Sequence, residues 1–256
     1  KRYRADKGTI GKIAPNILDR NFRADKPYQK LVTDVSQIAI GDKKSFLSPV
    51  LDLFNGEVLG YDISDRADLS QINNMLDEVF AITDKLPRDW GTILHSDQGW
   101  QYQHKSYQDA LQKHGIKQSI SRKGNCLDNS VMENFFGLLK TEMLYLQDFD
   151  SLDNFKAELI DYLDYYNNRR IKLKLKGLTP AQHRHQTLQA ALFENLPNIW
   201  GSLQICKRAY GASESSCCAA ASARLTARMT ALELMVAKVT ASTFSPIAKG
   251  SRPPRN

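Results

Sequence analysis

Three carboxylates stand where they could do chemistry. Asp34 lies inside an apolar run, Leu31-Val32-Thr33-Asp34-Val35-Ser36. Asp97 closes another, Ile93-Leu94-His95-Ser96-Asp97, and Glu133 falls in the first turn of a helix-patterned segment. Taken singly, each has an ordinary reading. A charge amid a strand is expensive to bury unless paired or metal-bound, but an edge strand with a solvated Asp fits the same string. Asp97 reads either as a site residue at a strand end or as a turn cap before Gly99. Glu133 alone is accounted for by the helix dipole. Taken together they say more. Three carboxylates brought to one point repel one another unless divalent cations join them. Mg²⁺ or Mn²⁺ suits an all-oxygen site that leaves room for substrate phosphates. Two such ions roughly 3.5–4 Å apart can activate a nucleophile on one side of a phosphorus and stabilise the leaving oxygen on the other.

Positioning those acids falls to a recognisable succession of elements. Strand-like runs cover Leu31 to Ile40, Ser45 to Phe54 and Glu57 to Ile63, separated by Gly41-Asp42-Lys43 and Asn55-Gly56. Asn-Gly between apolar runs is a strong hairpin signal, so an antiparallel three-stranded meander is expected. Leu69, Ile72, Met75, Leu76, Val79 and Phe80 then recur at helical spacing. A short strand through Thr92-Ile93-Leu94, a helix from Ser106 to His114 stopped by Gly115, and a strand from Ile116 to Ser121 follow. Two long helices close the series, from about Ser130 to Leu146 and from about Leu152 to Asn167. The expected fold is α/β: a ribonuclease-H-like mixed sheet, three antiparallel strands then two parallel ones, flanked by helices. In it the first and fourth strands are neighbours, so Asp34 and Asp97 can converge, and the long helix can carry Glu133 to within a few ångströms of them. Seven residues after Glu133, Lys140 lies on the same helix face, roughly 10 Å along the axis.

Composition narrows the class. The chain has 256 residues, 42% apolar and 25% charged, as expected of a protein with a real core. No stretch approaches the roughly 18 apolar residues of a membrane span, and no apolar segment of a secretion signal follows the basic start. A first residue other than Met reads as a fragment or processed product. Cysteines at 126, 206, 217 and 218 lack regular spacing, which argues against a disulfide framework and for a reducing compartment. The vicinal Cys217-Cys218 pair has no neighbouring His or Cys to complete a metal set. The net charge of +7 suggests a polyanionic partner. Gly211 to Asn256, however, holds six Lys or Arg against Glu214 and Glu233, so +4 of the +7 lies in that stretch. The expected domains are a lead-in arm at 1–30, a core at 31–190, and an Ala-, Ser- and Thr-rich tail at 191–256, largely disordered.

Longer strings sharpen the reading. Val32-Thr33-Asp34-Val35-Ser36, Leu47-Ser48-Pro49-Val50-Leu51-Asp52-Leu53-Phe54 and His95-Ser96-Asp97-Gln98-Gly99-Trp100-Gln101-Tyr102 resemble those of the OrfB transposases of bacterial insertion sequences. So do the stretch Gly124 to Phe136 and Tyr165-Tyr166-Asn167-Asn168-Arg169-Arg170. The 35 residues between Asp97 and Glu133 resemble the DDE triad of transposases and retroviral integrases. The likeness covers roughly residues 8–190; Leu31 replaces a usual Trp and Ser36 a frequent Thr.

The resemblance implies that Asp34, Asp97 and Glu133 are catalytic, metal-binding acids for DNA 3′-end cleavage and strand transfer of a mobile element. It implies Mg²⁺ or Mn²⁺, two ions, as cofactor and Lys140 as a DNA contact, with His95 and Gln98 in support. Arg122, Lys123, Arg169 and Arg170 are further expected DNA contacts, and Lys172, Lys174 and Lys176 extend that basic patch beyond the last long helix. The implied partners are element-end and target DNA, further copies of the chain on DNA, and an upstream helix-turn-helix protein or fusion partner. The implied setting is the bacterial cytoplasm and nucleoid, with no membrane. A hydrolysis-only nuclease of the same fold and a decayed, non-catalytic remnant are the alternatives.

Overall fold

The computed structural model describes residues 13–124 and 126–194. The tail expected over 191–256 lies outside the described residues except for 191–194. Two compact units part between His183 and Arg184; of the second, the described residues are the end of a helix.

The first unit begins with β1 (Lys30–Thr33), β2 (Ser36–Ile40), β3 (Lys43–Asp52) and β4 (Val58–Ser64). The single strand expected over 31–40 is thus interrupted at Asp34 and Val35, while its register is kept. Leu31 faces Asp52 and Ser36 faces Leu47, so Asp34 and Val35 fall opposite Pro49 and Ser48. Pro49 has no N–H to give the ladder, and the pairing lapses there. The β3–β4 connection turns at Gly56, whose φ of +71° is left-handed.

Helix α1 (Leu69–Thr83) is capped by Asp68, which accepts from the Gln71 N–H at 3.0 Å. Then come β5 (Ile93–Ser96), the short α2 (Trp100–Gln103), α3 (Lys105–Lys113) and β6 (Lys117–Ile120). Gly115, at φ +69°, ends α3 as expected. Beyond β6 lie α4 (Ser130–Leu139), a π turn (Lys140–Leu144), α5 (Leu152–Asn168) and α6 (Pro180–Glu194). The helix expected to run unbroken to Leu146 therefore widens at Lys140. Thr141 Oγ1 donates back to the carbonyls of Gly137 and Leu138, both at 3.1 Å, the kind of back-bonding that loosens a helical turn.

Across the sheet, β4 borders one edge of β3, and β1 with β2 the other. β1 then pairs with β5, and β5 with β6, both in parallel. Three antiparallel strands followed by two parallel ones is the ribonuclease-H-like arrangement. Alternation along β1 separates two cores. Val32 joins Leu47, Leu51, α4 and α5 on one face, and Leu31 joins Val50, Leu94, α1 and α3 on the other. The described part of the lead-in arm, residues 13–29, is irregular but docked beside β6. Leu18 is buried, and the N–H groups of Ile17 and Leu18 donate to Ser119 Oγ at 2.9 and 3.1 Å.

α1 lies so close to β4 that a Cβ on Gly60 would stand 2.9 Å from Glu78 Cβ and 3.2 Å from the Met75 carbonyl. Gly60→Ala should therefore cost about 1–3 kcal/mol by overpacking, measured as a lower urea midpoint with an unchanged m-value.

Candidate active site

Parallel register places the first two acids. Val32 of β1 faces His95 of β5; two residues further on, past both strand ends, the same register sets Asp34 beside Asp97. Neighbouring strands lie about 4.8 Å apart, so the carboxylates are close by construction. β6 continues the pattern, with Ser96 facing Ile120. The carboxyl ends of three parallel strands thus open on one crevice, the usual ligand position in such sheets.

That crevice is a cleft of about 620 Å³ lined by Asp34, Asp97, Gln98, Arg122, Lys123 and Glu133, together with Asn129 and the loop backbone. Glu133 reaches it from the first turn of α4, exposed, while Met132, Phe135, Phe136 and Leu139 anchor the other face of that helix in the core. Asn129, just before α4, donates from Nδ2 to Asp34 Oδ2 at 3.1 Å. The Val35 N–H donates to Asp34 Oδ1 at 2.8 Å, and the Gly99 N–H to Asp97 Oδ1 at 2.8 Å. Burial, and after it the charge of Asp97, pushes the Asp34 carboxyl up to about 7; Val35 opposes the rise and Glu133 adds to it. Asp97 is likewise raised, chiefly by burial.

A residue with no signal in the sequence organises this wall. The side chain of Asp128 is wholly buried. Its Oδ1 accepts from Arg20 Nε at 2.8 Å and Arg122 Nη2 at 3.0 Å. Its Oδ2 accepts from Asn16 at 3.1 Å, Arg122 Nε at 2.9 Å and the Arg122 N–H at 3.0 Å. These donors, Arg122 foremost, hold the Asp128 carboxyl well below the usual range. The backbone carbonyl of Asp128 meets His95 Nε2 at 3.0 Å, and Ser119 Oγ meets His95 Nδ1 at 2.8 Å. Since Ser119 Oγ already accepts from two backbone N–H groups, its own proton goes to Nδ1, leaving Nε2–H for the carbonyl. His95 is thus a neutral, fully engaged strut behind the cleft, and burial lowers its pKa.

The expected DNA contacts divide. Lys123 lines the cleft and is exposed, and Gln98 lines it with Nε2 donating to the Ser121 carbonyl at 3.1 Å. Lys140 is exposed at the end of α4, on the Glu133 face but outside the cleft lining. The Arg122 guanidinium is bound to Asp128. Arg170 is bound to Glu142, Nη2 to Oε1 at 2.6 Å and Nε to Oε2 at 2.8 Å, a fork that ties the end of α5 to the π turn. Arg169 forms an exposed pair with Asp164 at 3.3 Å.

The donor set suits a hard cation: carboxylate oxygens only, with Asp34 held at a raised pKa that a neighbouring positive charge would relieve. Asp34, Asp97 and Glu133 are the residues that would hold it. Yet among the described residues no three His, Cys, Asp or Glu side chains stand close enough to form a ready ligand set. The three acids line one cleft, and the charges of Asp97 and Glu133 both act on Asp34.

Fold and cleft together define an integrase-type catalytic core, and sequence comparison agrees. The integrase core domain family matches residues 24–126, and a second integrase core family residues 133–188. The chain is 52% identical over 187 residues to the transposase InsK for insertion sequence element IS150 of Escherichia coli K12, covering 73% of this chain and 65% of InsK. It is 44% identical over 188 residues to a transposase-like protein of Haemophilus influenzae, covering 73% of this chain and 85% of that protein. The chain belongs to the integrase-core transposases of bacterial insertion sequences. In fold alone it is similar to the simian T-cell lymphotropic virus intasome structure, at a TM-score of 0.51 and 16% identity, covering 71% of this chain and 60% of that one.

Among the described residues no helix is long and apolar enough to cross a membrane.

Proposed function

We propose that this chain is the catalytic core of a transposase that cuts element DNA at its 3′ ends and joins each freed 3′-hydroxyl to a target phosphate. The observation that carries the reading is the parallel β1–β5 register, which sets Asp34 beside Asp97 at the mouth of a cleft that Glu133 also lines. Both steps are in-line displacements at phosphorus. Water attacks in cleavage and a DNA hydroxyl in strand transfer; one P–O bond forms, one breaks, and the departing oxygen takes up a proton. Asp34, Asp97 and Glu133 would hold two Mg²⁺ or Mn²⁺ ions, which when bound supply Lewis acidity and neutralise developing charge. Asn129 and the Gly99 N–H aim the two strand-end carboxylates. Lys123 and Lys140 receive the DNA backbone, and Gln98 lines the cleft with Lys123.

The catalytic core spans residues 31–190, and the tail after it is dispensable for the chemistry. The working form is an assembly on DNA in the bacterial cytoplasm, at the nucleoid, with end recognition supplied by an upstream helix-turn-helix segment or partner. Incubating the chain with a pre-cleaved end oligonucleotide, supercoiled target and Mg²⁺ or Mn²⁺ should yield joined products. Hydrolysed ends without joining would instead make it a nuclease.

DNA contacts are separable by salt. Each phosphate contact contributes about 0.9 to the slope of log affinity against log salt. Lys123→Ala and Lys140→Ala should each flatten that slope by about this amount. Arg122→Ala and Arg170→Ala should leave it unchanged and lower the melting temperature, because their guanidiniums serve Asp128 and Glu142.

A further inference from the structure

The segment after α5 faces the wrong way for an ordinary surface loop. Ile171 is 64% exposed and Leu173 92%, while the lysine between them turns inward. Lys172 Nζ donates to the Gly56 carbonyl at 3.0 Å and to Tyr166 Oη at 2.9 Å. Burial holds its pKa down to about 8. The segment is not slack. The Lys172 N–H donates to the Leu178 carbonyl at 3.0 Å and the Leu175 N–H to the Lys172 carbonyl at 2.9 Å. Leu175 is buried, and Lys176 takes a left-handed φ of +58° that only a defined turn would impose. Two large apolar side chains, with Lys174 and Lys176, are thus presented on a tip fixed in advance, which lowers the entropy cost of docking.

The same molecule carries a matching receptacle at the foot of this tip. Between the π turn and α5 runs a groove of about 230 Å³, lined by Met143, Leu146, Tyr162 and Tyr165 with Glu158 and Asp161. Leu146 and Tyr165 expose apolar surface there. Arg170 joins groove to tip through Glu142, and Arg169 does so through the Asp161 carbonyl at 3.4 Å.

We propose that this face is where two copies of the chain associate, the Ile171–Lys176 tip of each entering the groove of the other. The match is chemical: a cationic, apolar-tipped projection against an acidic groove with an apolar lining. Because tip and groove adjoin on one molecule, a twofold axis satisfies both at once, as an isologous interface requires. DNA fits this face less well. Glu158, Asp161 and Asp164 on the adjoining α5 would oppose phosphates, and backbone contacts make no use of an exposed Leu173. The inference is independent of the proposed chemistry, since its readout is oligomeric state.

Sedimentation of the full chain without DNA should show a concentration-dependent dimer. Leu173→Glu should raise the dissociation constant at least about thirtyfold, as loss of a central anchor does. Lys174→Glu with Lys176→Glu should weaken self-association, as should Glu158→Lys with Asp161→Lys. Mixing those two charge-reversed proteins should restore a heterodimer, because both tip–groove pairs become complementary again; that recovery also shows each variant is folded. A chain that stays monomeric at every concentration overturns the proposal, as does a dimer indifferent to all these changes. Loss of DNA affinity with the dimer intact assigns the tip to DNA and overturns it equally.

Discussion

Asp34→Asn should abolish metal-dependent strand transfer while making the metal-free protein more stable at neutral pH. In the folded chain Asp34 titrates near 7, raised from 3.8 by burial and by Asp97. Between those values the folded state binds a proton that the unfolded state has released, so stability falls as pH rises from about 4 to about 7. The full shift would correspond to about 4 kcal/mol, and solvent in the cleft reduces it. Asn keeps the shape and carries no charge, so the variant should lose this pH dependence and melt higher at pH 7.5. Activity should fall by more than ~100-fold, beyond the 10–100-fold loss typical of outer-shell partners. Mg²⁺ or Mn²⁺ should raise the melting temperature of the unaltered protein and not that of the variant. A variant that retains strand transfer, or a melting temperature that does not rise, would remove Asp34 from the centre of the site.

The second large effect concerns Asp128. Asp128→Ala removes the acceptor for five hydrogen bonds, three of them from Arg122 and one from Arg20. Because both arginines are partly exposed, they regain water, and the loss should be about 2–4 kcal/mol rather than the top of the buried-pair range. The sign with pH is opposite to that of Asp34. The depressed Asp128 carboxyl contributes stability above its unfolded pKa, near 4, and loses it as pH falls further. Chemical denaturation at pH 7 and pH 3 should therefore show a difference between variant and parent that is about 1 kcal/mol smaller at pH 3 than at pH 7, the remainder disappearing only as pH falls through the depressed folded pKa. Equal differences at both would mean that the carboxylate charge is not what holds the loop.

Much of this was legible beforehand, because apolar periodicity reports which face is buried. The alternation around Val32 and the Asn55-Gly56 turn announce the meander, and the Met132–Leu139 spacing announces the helix that carries Glu133. What escaped depends on contacts between distant residues. The break at Asp34 is caused by Pro49 on the facing strand. Asp128 sits in a polar loop where a carboxylate reads as solvated, and its partners Asn16 and Arg20 lie more than a hundred residues away. Arg122 and Arg170 look like free cations until their carboxylates are located. One omission had a local signal. Thr179-Pro180-Ala181-Gln182 is a capping box with Pro at the first helical position. The Gln182 N–H bonds to Thr179 Oγ1 at 3.2 Å, and the Thr179 N–H bonds to Gln182 Oε1 at 3.0 Å, opening α6.

The way Asp34 and Asp97 are brought together also determines what the chain can tolerate. Their proximity is recorded in the backbone ladder between β1 and β5, not in the path that connects them. The intervening hairpins and α1 are free to lengthen, shorten or acquire ornaments without disturbing the pair. A single-residue insertion within β1 or β5 has the opposite effect: it slides one carboxylate out of line and turns it toward the other layer of the sandwich. Over this fold, length variation should be plentiful between the strands and rare within them.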